Sequence, residues 1–358
     1  MKKLFTLLIA VISAFSLSAQ RNEFVITGKV VDQATQQPLA GASVFCQNTT
    51  VGTVSKNEGE FSLHLPNGGY DLVVSYTGYE TYSIRINNDN AAAPITIELK
   101  KQEKTMQEVA VVGSTEVVDG WARHGQFFLE NFIGTTANAA LCNLENPEAL
   151  RFFYSKKRNR LKVLTKADII IMNKALGYKI KYQLDSFTHE YANGISTFSG
   201  YPLFEEMQGT DEEKSIWKTN REKAYYGSRM HFMRSWYDST LLDEGYTIQK
   251  VEDIKALDGV EIENPFDTTF YHADTSDVEI DIKGRLKVIY RNETPDARYL
   301  SYYKLPSYMK VQISAIDLAD GFIIEENGYF YEQSDVINTG YWAWEKFAEA
   351  LPYDYWPE

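Results

Sequence analysis

Phe24-Val25-Ile26-Thr27-Gly28-Lys29-Val30, and then Pro38-Leu39-Ala40-Gly41-Ala42-Ser43-Val44-Phe45-Cys46, are the runs that decide the fold. In the first, Phe24, Ile26 and Val30 share one face while Val25, Thr27 and Lys29 share the other, which is the period of a strand. Asp32 to Pro38 reads as a polar turn, and the second run sets Ala42, Val44 and Cys46 on one side. Further on, Phe61, Leu63 and Leu65 alternate with Glu60, Ser62 and His64, the pattern of a sheet wet on one face. Tyr70, Leu72, Val74 and Tyr76 form the next inward row, followed by Tyr82, Ile84 and Ile86, and then by Ile95, Ile97 and Leu99. Turn signals at Asn48–Gly52, Asn57–Gly59 and Pro66–Gly69 punctuate these rows. About seven short strands at this spacing, with no helical period, predict a small antiparallel sandwich over residues 24–99.

The same residues carry a family resemblance. Ile26-Thr27-Gly28, Pro38 through Val44, Gly52-Thr53, Gly59-Glu60-Phe61 and Ser75-Tyr76-Thr77-Gly78-Tyr79 resemble, in order, the carboxypeptidase regulatory-like domain. The resemblance implies a prealbumin-like (transthyretin-like) β-sandwich in an exported protein of the Bacteroidetes type. It implies no catalysis, because such modules accompany peptidases without being catalytic themselves.

Upstream, Met1-Lys2-Lys3 is a basic start, Leu4–Leu17 an apolar run and Ser18-Ala19-Gln20 a small-residue cleavage site. Residues 1–19 therefore read as a secretory signal, and the expected location is the periplasm or the outer membrane. No later apolar run approaches the ~20 residues of a membrane helix, so peripheral association is the expected mode of membrane contact. The formal net charge of −13 argues against a nucleic-acid partner. Only two cysteines occur, Cys46 and Cys142. Cys46 faces the sandwich core by alternation and reads as a buried thiol, with a disulfide between the two as the alternative.

Residues 100–120 read as a linker. Within it, Met106-Gln107-Glu108-Val109-Ala110-Val111-Val112-Gly113 resembles the segment that follows the same sandwich in TonB-dependent outer-membrane receptors. The rest of that receptor pattern is missing, since a large barrel needs around 20 strands of ~10 residues. The segment reads either as a contact for the energising protein or as an extended connection.

Residues 121–358 read as an α+β domain. Phe128, Leu129, Phe132 and Ile133 form a helical stripe, and Asn146-Pro147-Glu148 is a helix start. Strands are expected through Arg151–Glu190, with a basic turn at Lys156–Arg160 that reads as a solvated loop. One long helix is expected from Asp211, with Trp217, Ala224, Tyr225, Phe232 and Trp236 on one face and Gly227 inside it. Strands are expected at Tyr246–Val251, Leu286–Arg291 and Tyr308–Ile316, then a hairpin across Asn327-Gly328 and a last helix over Trp342–Leu351.

None of the five histidines begins a metal-binding pattern, so no metal and no cofactor is expected. His231 lies one turn from Ser235 and near Asp238, but neighbours on one helix do not make nucleophile geometry, and His231 reads as a helix-flank residue. The aromatic content is the most informative anomaly: 24 Tyr, 19 Phe and 6 Trp. Rings with a polar edge suit sugar or protein surfaces. Trp217 and Trp236 sit on the buried stripe, which leaves Tyr341 and Trp344 as the candidate ligand-binding residues. The chain thus reads as a non-catalytic binding or scaffolding protein whose partner is an envelope protein or a glycan. The alternatives are an accessory to TonB-dependent uptake, or a peptidase-associated hydrolase whose site is scattered along the sequence.

Overall fold

A computed structural model describes residues 22–91, 93–102, 113–255, 259–331 and 336–358. The signal reading at 1–19 lies outside them, as does all of the Met106–Gly113 segment except Gly113.

Seven strands form the N-terminal unit: β1 (Glu23–Asp32), β2 (Ser43–Cys46), β3 (Gly52–Val54), β4 (Glu60–Pro66), β5 (Tyr70–Ser75), β6 (Tyr82–Ile86) and β7 (Ile95–Leu99). They make two sheets, ordered β4-β1-β7 and β3-β2-β5-β6. The alternating rows meet between the sheets: Ile26, Val30, Ala42, Val44, Cys46, Leu63, Leu65, Leu72 and Val74 are all buried. Each large apolar side chain so buried contributes ~1.5–3 kcal/mol. The turn after β1 forms because the Asp32 carboxylate accepts from the backbone N–H of Ala34 and Thr35, and Tyr79 donates its hydroxyl to the other oxygen at 2.7 Å. One expectation needs correcting. β7 runs parallel to β1, from Gly28↔Ile95 to Asp32↔Leu99, so the sandwich is not purely antiparallel. Alternation reports which face is buried and carries no strand direction. The chain leaves β6 in one sheet, crosses to the other and arrives beside β1 pointing the same way.

The next unit contains β8 (Thr115–Glu116), α1 (Gly120–Phe132), β9 (Cys142–Leu144), β10 (Leu150–Ser155), β11 (Arg160–Thr165), β12 (Ile169–Asn173), β13 (Tyr178–Glu190) and β14 (Ile195–Glu206). Its sheet runs β8-β10-β11-β13-β12-β9, and β14 also pairs with β13. The predicted stripe of α1 places Phe128 and Phe132 in the core beneath this sheet. Asn146-Pro147-Glu148 starts only a single 3-10 turn, Pro147–Ala149, before β10 begins.

The last unit contains α2 (Asp211–Tyr225), α3 (Arg229–Tyr237), β15 (Tyr246–Val251), β16 (Val260–Glu261), β17 (Tyr271–Ala273), β18 (Asp277–Ile280), β19 (Gly284–Tyr290), α4 (Ala297–Tyr302), β20 (Gln312–Leu318), β21 (Phe322–Glu325), β22 (Val336–Gly340) and α5 (Tyr341–Trp344). The strands make two sheets, β16-β15-β19-β20-β22 and β17-β18-β21. The single long helix expected here is two. Gly227 has φ +80, and a Cβ there would meet Gln312 Oε1 at 2.7 Å, so it ends α2 instead of sitting inside a helix. Ser228 then caps α3, and a Thr210–Glu213 capping box starts α2. The expected helix over Trp342–Leu351 is also shorter: one turn, α5, then a 3-10 turn at Phe347–Glu349.

The sandwich core is not closed by the sandwich alone. Tyr329, Tyr331 and Tyr353, from the far end of the chain, are buried in the same apolar cluster as Val44, Leu72 and Leu99. Thr49 pairs with Leu203 in a parallel bridge, and Tyr353 N–H donates to the Asn48 carbonyl at 2.6 Å. Arg234, 1% exposed, donates to the carbonyls of Asn327, Tyr353 and Tyr355, and its guanidinium lies 3.6 Å from the Trp356 ring centroid. That buried fork holds the C-terminal segment against α3 and the Asn327 turn.

Candidate functional site

Asp296 caps α4 by accepting from Arg298 N–H at 2.7 Å. The short helix buries Tyr299 and Leu300, and it is followed by a turn in which Lys304 takes φ 54 and Leu305 N–H donates to the Leu300 carbonyl at 2.8 Å. This tight return carries Tyr302, Tyr303 and Tyr308 outward, at 70%, 49% and 78% exposure. Behind them lies α5, which enters from β22 through Gly340 and sets Tyr341 and Trp344 against the same cluster.

The two candidate residues therefore form the floor of the patch. Tyr341 is 6% exposed and Trp344 8%. Tyr341 stands edge-on to Tyr299 at 4.9 Å, and its hydroxyl oxygen accepts from Asp296 N–H at 3.1 Å. Trp344 has the rings of Tyr302 at 5.7 Å, Tyr299 at 5.9 Å and Tyr303 at 6.3 Å. Its Nε1–H is buried with no hydrogen-bond partner among the described residues. The rings with open faces are Tyr302, Tyr303 and Tyr308, which the sequence reading did not single out. Their signal was present as Tyr299-Leu300-Ser301-Tyr302-Tyr303, but a tyrosine-rich helix reads as core until the turn after it is known. Burial, and for Tyr303 the neighbouring Tyr302 phenol, push Tyr299 and Tyr303 upward, Tyr299 to about 12. Tyr299 and Tyr303 therefore remain uncharged donors and acceptors at neutral pH. A face of this kind offers flat apolar area rimmed by hydroxyls.

Trp217 and Trp236 are both core, as their stripe required, with Nε1–H donating to Lys174 O and Pro265 O. His231 is corrected from helix flank to core. It is 3% exposed, and its Nδ1 accepts from Gly227 N–H and from the Tyr246 hydroxyl, which leaves the proton on Nε2 facing Glu244 at 3.2 Å. Burial pulls its pKa down to about 4. Ser235 Oγ donates to the His231 carbonyl, so Ser235, His231 and Asp238 do not assemble as nucleophile and base. Cys46 and Cys142 are both free thiols, and burial pushes each upward, Cys142 to about 12. Among the described residues no group of three or more His, Cys, Asp or Glu is arranged to hold a metal ion. No helix among them is long and apolar enough to cross a membrane.

Residues 26–111 match the family described as the CarboxypepD_reg-like domain, which confirms the resemblance read in the sequence. The chain is also similar to the TonB-dependent receptor SusC of Bacteroides thetaiotaomicron, 32% identical over 115 residues that cover 32% of this chain and 11% of the receptor. The TonB-dependent receptor P39 of Formosa agariphila is 30% identical over 110 residues, covering 31% of this chain and 10% of the receptor. The chain thus spans about a tenth of the length of the curated relatives it matches. Among solved structures, a DUF3823 family protein from Bacteroides ovatus is similar at 11% identity and TM-score 0.18, covering 52% of this chain and 83% of that one. A DUF3823 family protein from Parabacteroides merdae is similar at 11% identity and TM-score 0.19, with 55% and 85% covered.

Proposed function

We propose that this chain is an exported, non-catalytic binding or scaffolding protein of the cell envelope, working in the periplasm or at the outer membrane. Residues 24–99 are its structural mount, and the tyrosine face of α4 is its contact surface for a glycan or an envelope protein. The observation that supports this reading is the division of labour among its tyrosines. Tyr329, Tyr331 and Tyr353 complete the sandwich core, whereas Tyr302 and Tyr303 stand exposed over a buried Trp344 and Tyr308 is exposed in the turn that follows. Open rings on a fixed base cost little ordering entropy on binding.

A glycan array, read with the wild-type protein and with a Tyr302→Ser/Tyr303→Ser/Tyr308→Ser variant, tests the glycan branch. Signals lost in the variant support it. Signals that survive place binding elsewhere, and a flat array with both proteins leaves the envelope-protein branch to cross-linking in cells.

A second reading, as an accessory of TonB-dependent uptake, is favoured by the similarity to the two receptors and by the family match reaching residue 111. Deleting residues 106–113 tests it: loss of envelope association supports the reading, and unchanged association removes it.

A further inference from the structure

Where the sandwich, the β13–β14 hairpin and the C-terminal segment meet, they line a half-open cavity of about 360 Å³. That volume is in the range of small-molecule sites. Phe198, Trp342 and Phe347 supply aromatic walls, and Glu345, Lys346, Glu349 and Arg229 the charged ones.

The charges are not arranged to neutralise one another. Lys346 Nζ donates to the Glu130 carbonyl at 3.4 Å, and the Arg229 guanidinium lies over the Phe330 ring at 5.1 Å. The Glu349 carboxylate is taken by the Thr136 hydroxyl and by Asn138 Nδ2. Glu345 has no hydrogen bond or ion pair on its carboxylate among the described residues. Asn338 Oδ1, at the same wall, is buried without a donor, and Glu345 itself is half-buried. The wall is short of donors and has one acid in reserve. Glu349 and Glu293 face Glu345 electrostatically; Tyr246 and Tyr341 feel its charge; Lys223 acts on Glu293 and Glu349. Burial first, and then the two neighbouring carboxylates, push Glu345 well above the usual carboxylate range, so it keeps its proton to higher pH than a free carboxyl.

We infer that this cavity binds a small molecule bearing a primary ammonium or guanidinium group, with the positive charge on Glu345 and the apolar body against Trp342 and Phe198. A neutral polyol would leave the acid unpaired, whereas a cation converts it to a carboxylate and pairs it in place. Any proton that Glu345 holds in the empty cavity passes to buffer on binding.

Isothermal titration at pH 7 tests this with benzylamine and agmatine, using benzyl alcohol as the neutral counterpart, in two buffers of different ionisation heat. The expected result is saturable binding of the amines, at least about tenfold tighter than the alcohol, with release of a proton that makes the heat depend on the buffer. Glu345→Gln should weaken the amines by about tenfold or more and abolish the buffer dependence. If that variant fails to fold, the amine-to-alcohol affinity ratio of the wild-type protein alone decides the matter. Equal affinity for amine and alcohol, unchanged binding in Glu345→Gln, or no binding of either amine would each overturn the inference. The Tyr302/Tyr303/Tyr308 variant should bind the amines normally, which separates this site from the tyrosine face.

Discussion

The side-chain amide of Asn327 donates to the backbone carbonyl of Gly69 at 2.9 Å, buried on both sides. Asn327 belongs to the hairpin near the end of the chain, and Gly69 to the turn between β4 and β5 of the sandwich. A Cβ on Gly69 would meet Glu325 Cγ and Tyr329 Cδ1 at 2.7 Å, so the hairpin approaches to bare backbone. The sandwich and the C-terminal hairpin are joined through this contact.

Asn327→Ala should therefore cost about 1–3 kcal/mol, the penalty of leaving a buried carbonyl unpaired, and Gly69→Ala should cost more. Urea unfolding followed by tryptophan fluorescence and by far-UV circular dichroism checks both. All six tryptophans lie outside the sandwich, while circular dichroism sees its strands as well. The two probes should give coincident transitions in the wild-type protein.

Gly227→Ala distinguishes one helix from two by its sign. In the interior of a continuous helix the substitution would stabilise by about 0.5–1 kcal/mol. At φ +80, with Gln312 Oε1 at 2.7 Å from the added carbon, it should destabilise by at least about 1–2 kcal/mol. A thermal melt reads the difference directly.

His231 makes stability depend on pH. Its folded pKa, near 4, lies below its ordinary 6.5, so the unfolded chain binds the extra proton between those values. Its contribution is full above pH 6.5 and is lost as pH falls toward 4, up to about 3 kcal/mol. Glu345 and Glu349 run the other way, because their raised folded pKa favours the fold at low pH and that gain fades as pH rises above 4.5. The His231 part is isolated by comparing urea midpoints at pH 7 and pH 4.5 in the wild-type protein and in His231→Gln. The wild type should lose more on acidification.

Tyr341→Ala should cost about 3–5 kcal/mol, since it empties a buried aromatic site. Tyr302→Ser and Tyr308→Ser should each stay within about 0.5 kcal/mol of wild type. Chemical denaturation separates floor from face.

Much of this was legible in the sequence, for a physical reason. Period-two burial in Phe61–Leu65 and Tyr70–Tyr76 fixes which side chains face inward, and the two-sheet sandwich follows from it. The direction of β7 was not legible, because period two is the same read either way. Helical spacing placed Trp217 and Trp236 in the core but was blind to the break between them, which depends on a positive φ at Gly227 and the side chain of Gln312 across it. β14 went unread because Gly200 and Pro202 look like breakers, and pairing with β13 overrides them. At the candidate site, composition singled out Tyr341 and Trp344, which the fold buries beneath Tyr302 and Tyr303, while the exposed rings are set by a turn at Lys304 that no periodicity reports.

The most direct test of the account is photo-cross-linking in living cells, with p-benzoylphenylalanine replacing Tyr302 or Tyr308 in turn, and Tyr191 (38% exposed, on the β13–β14 turn) as the control. Adducts to a discrete partner from Tyr302 and Tyr308, and none from Tyr191, are the predicted result. Adducts from Tyr191 alone, or none from either Tyr302 or Tyr308 while the protein sits in the envelope, would contradict the assignment of this face.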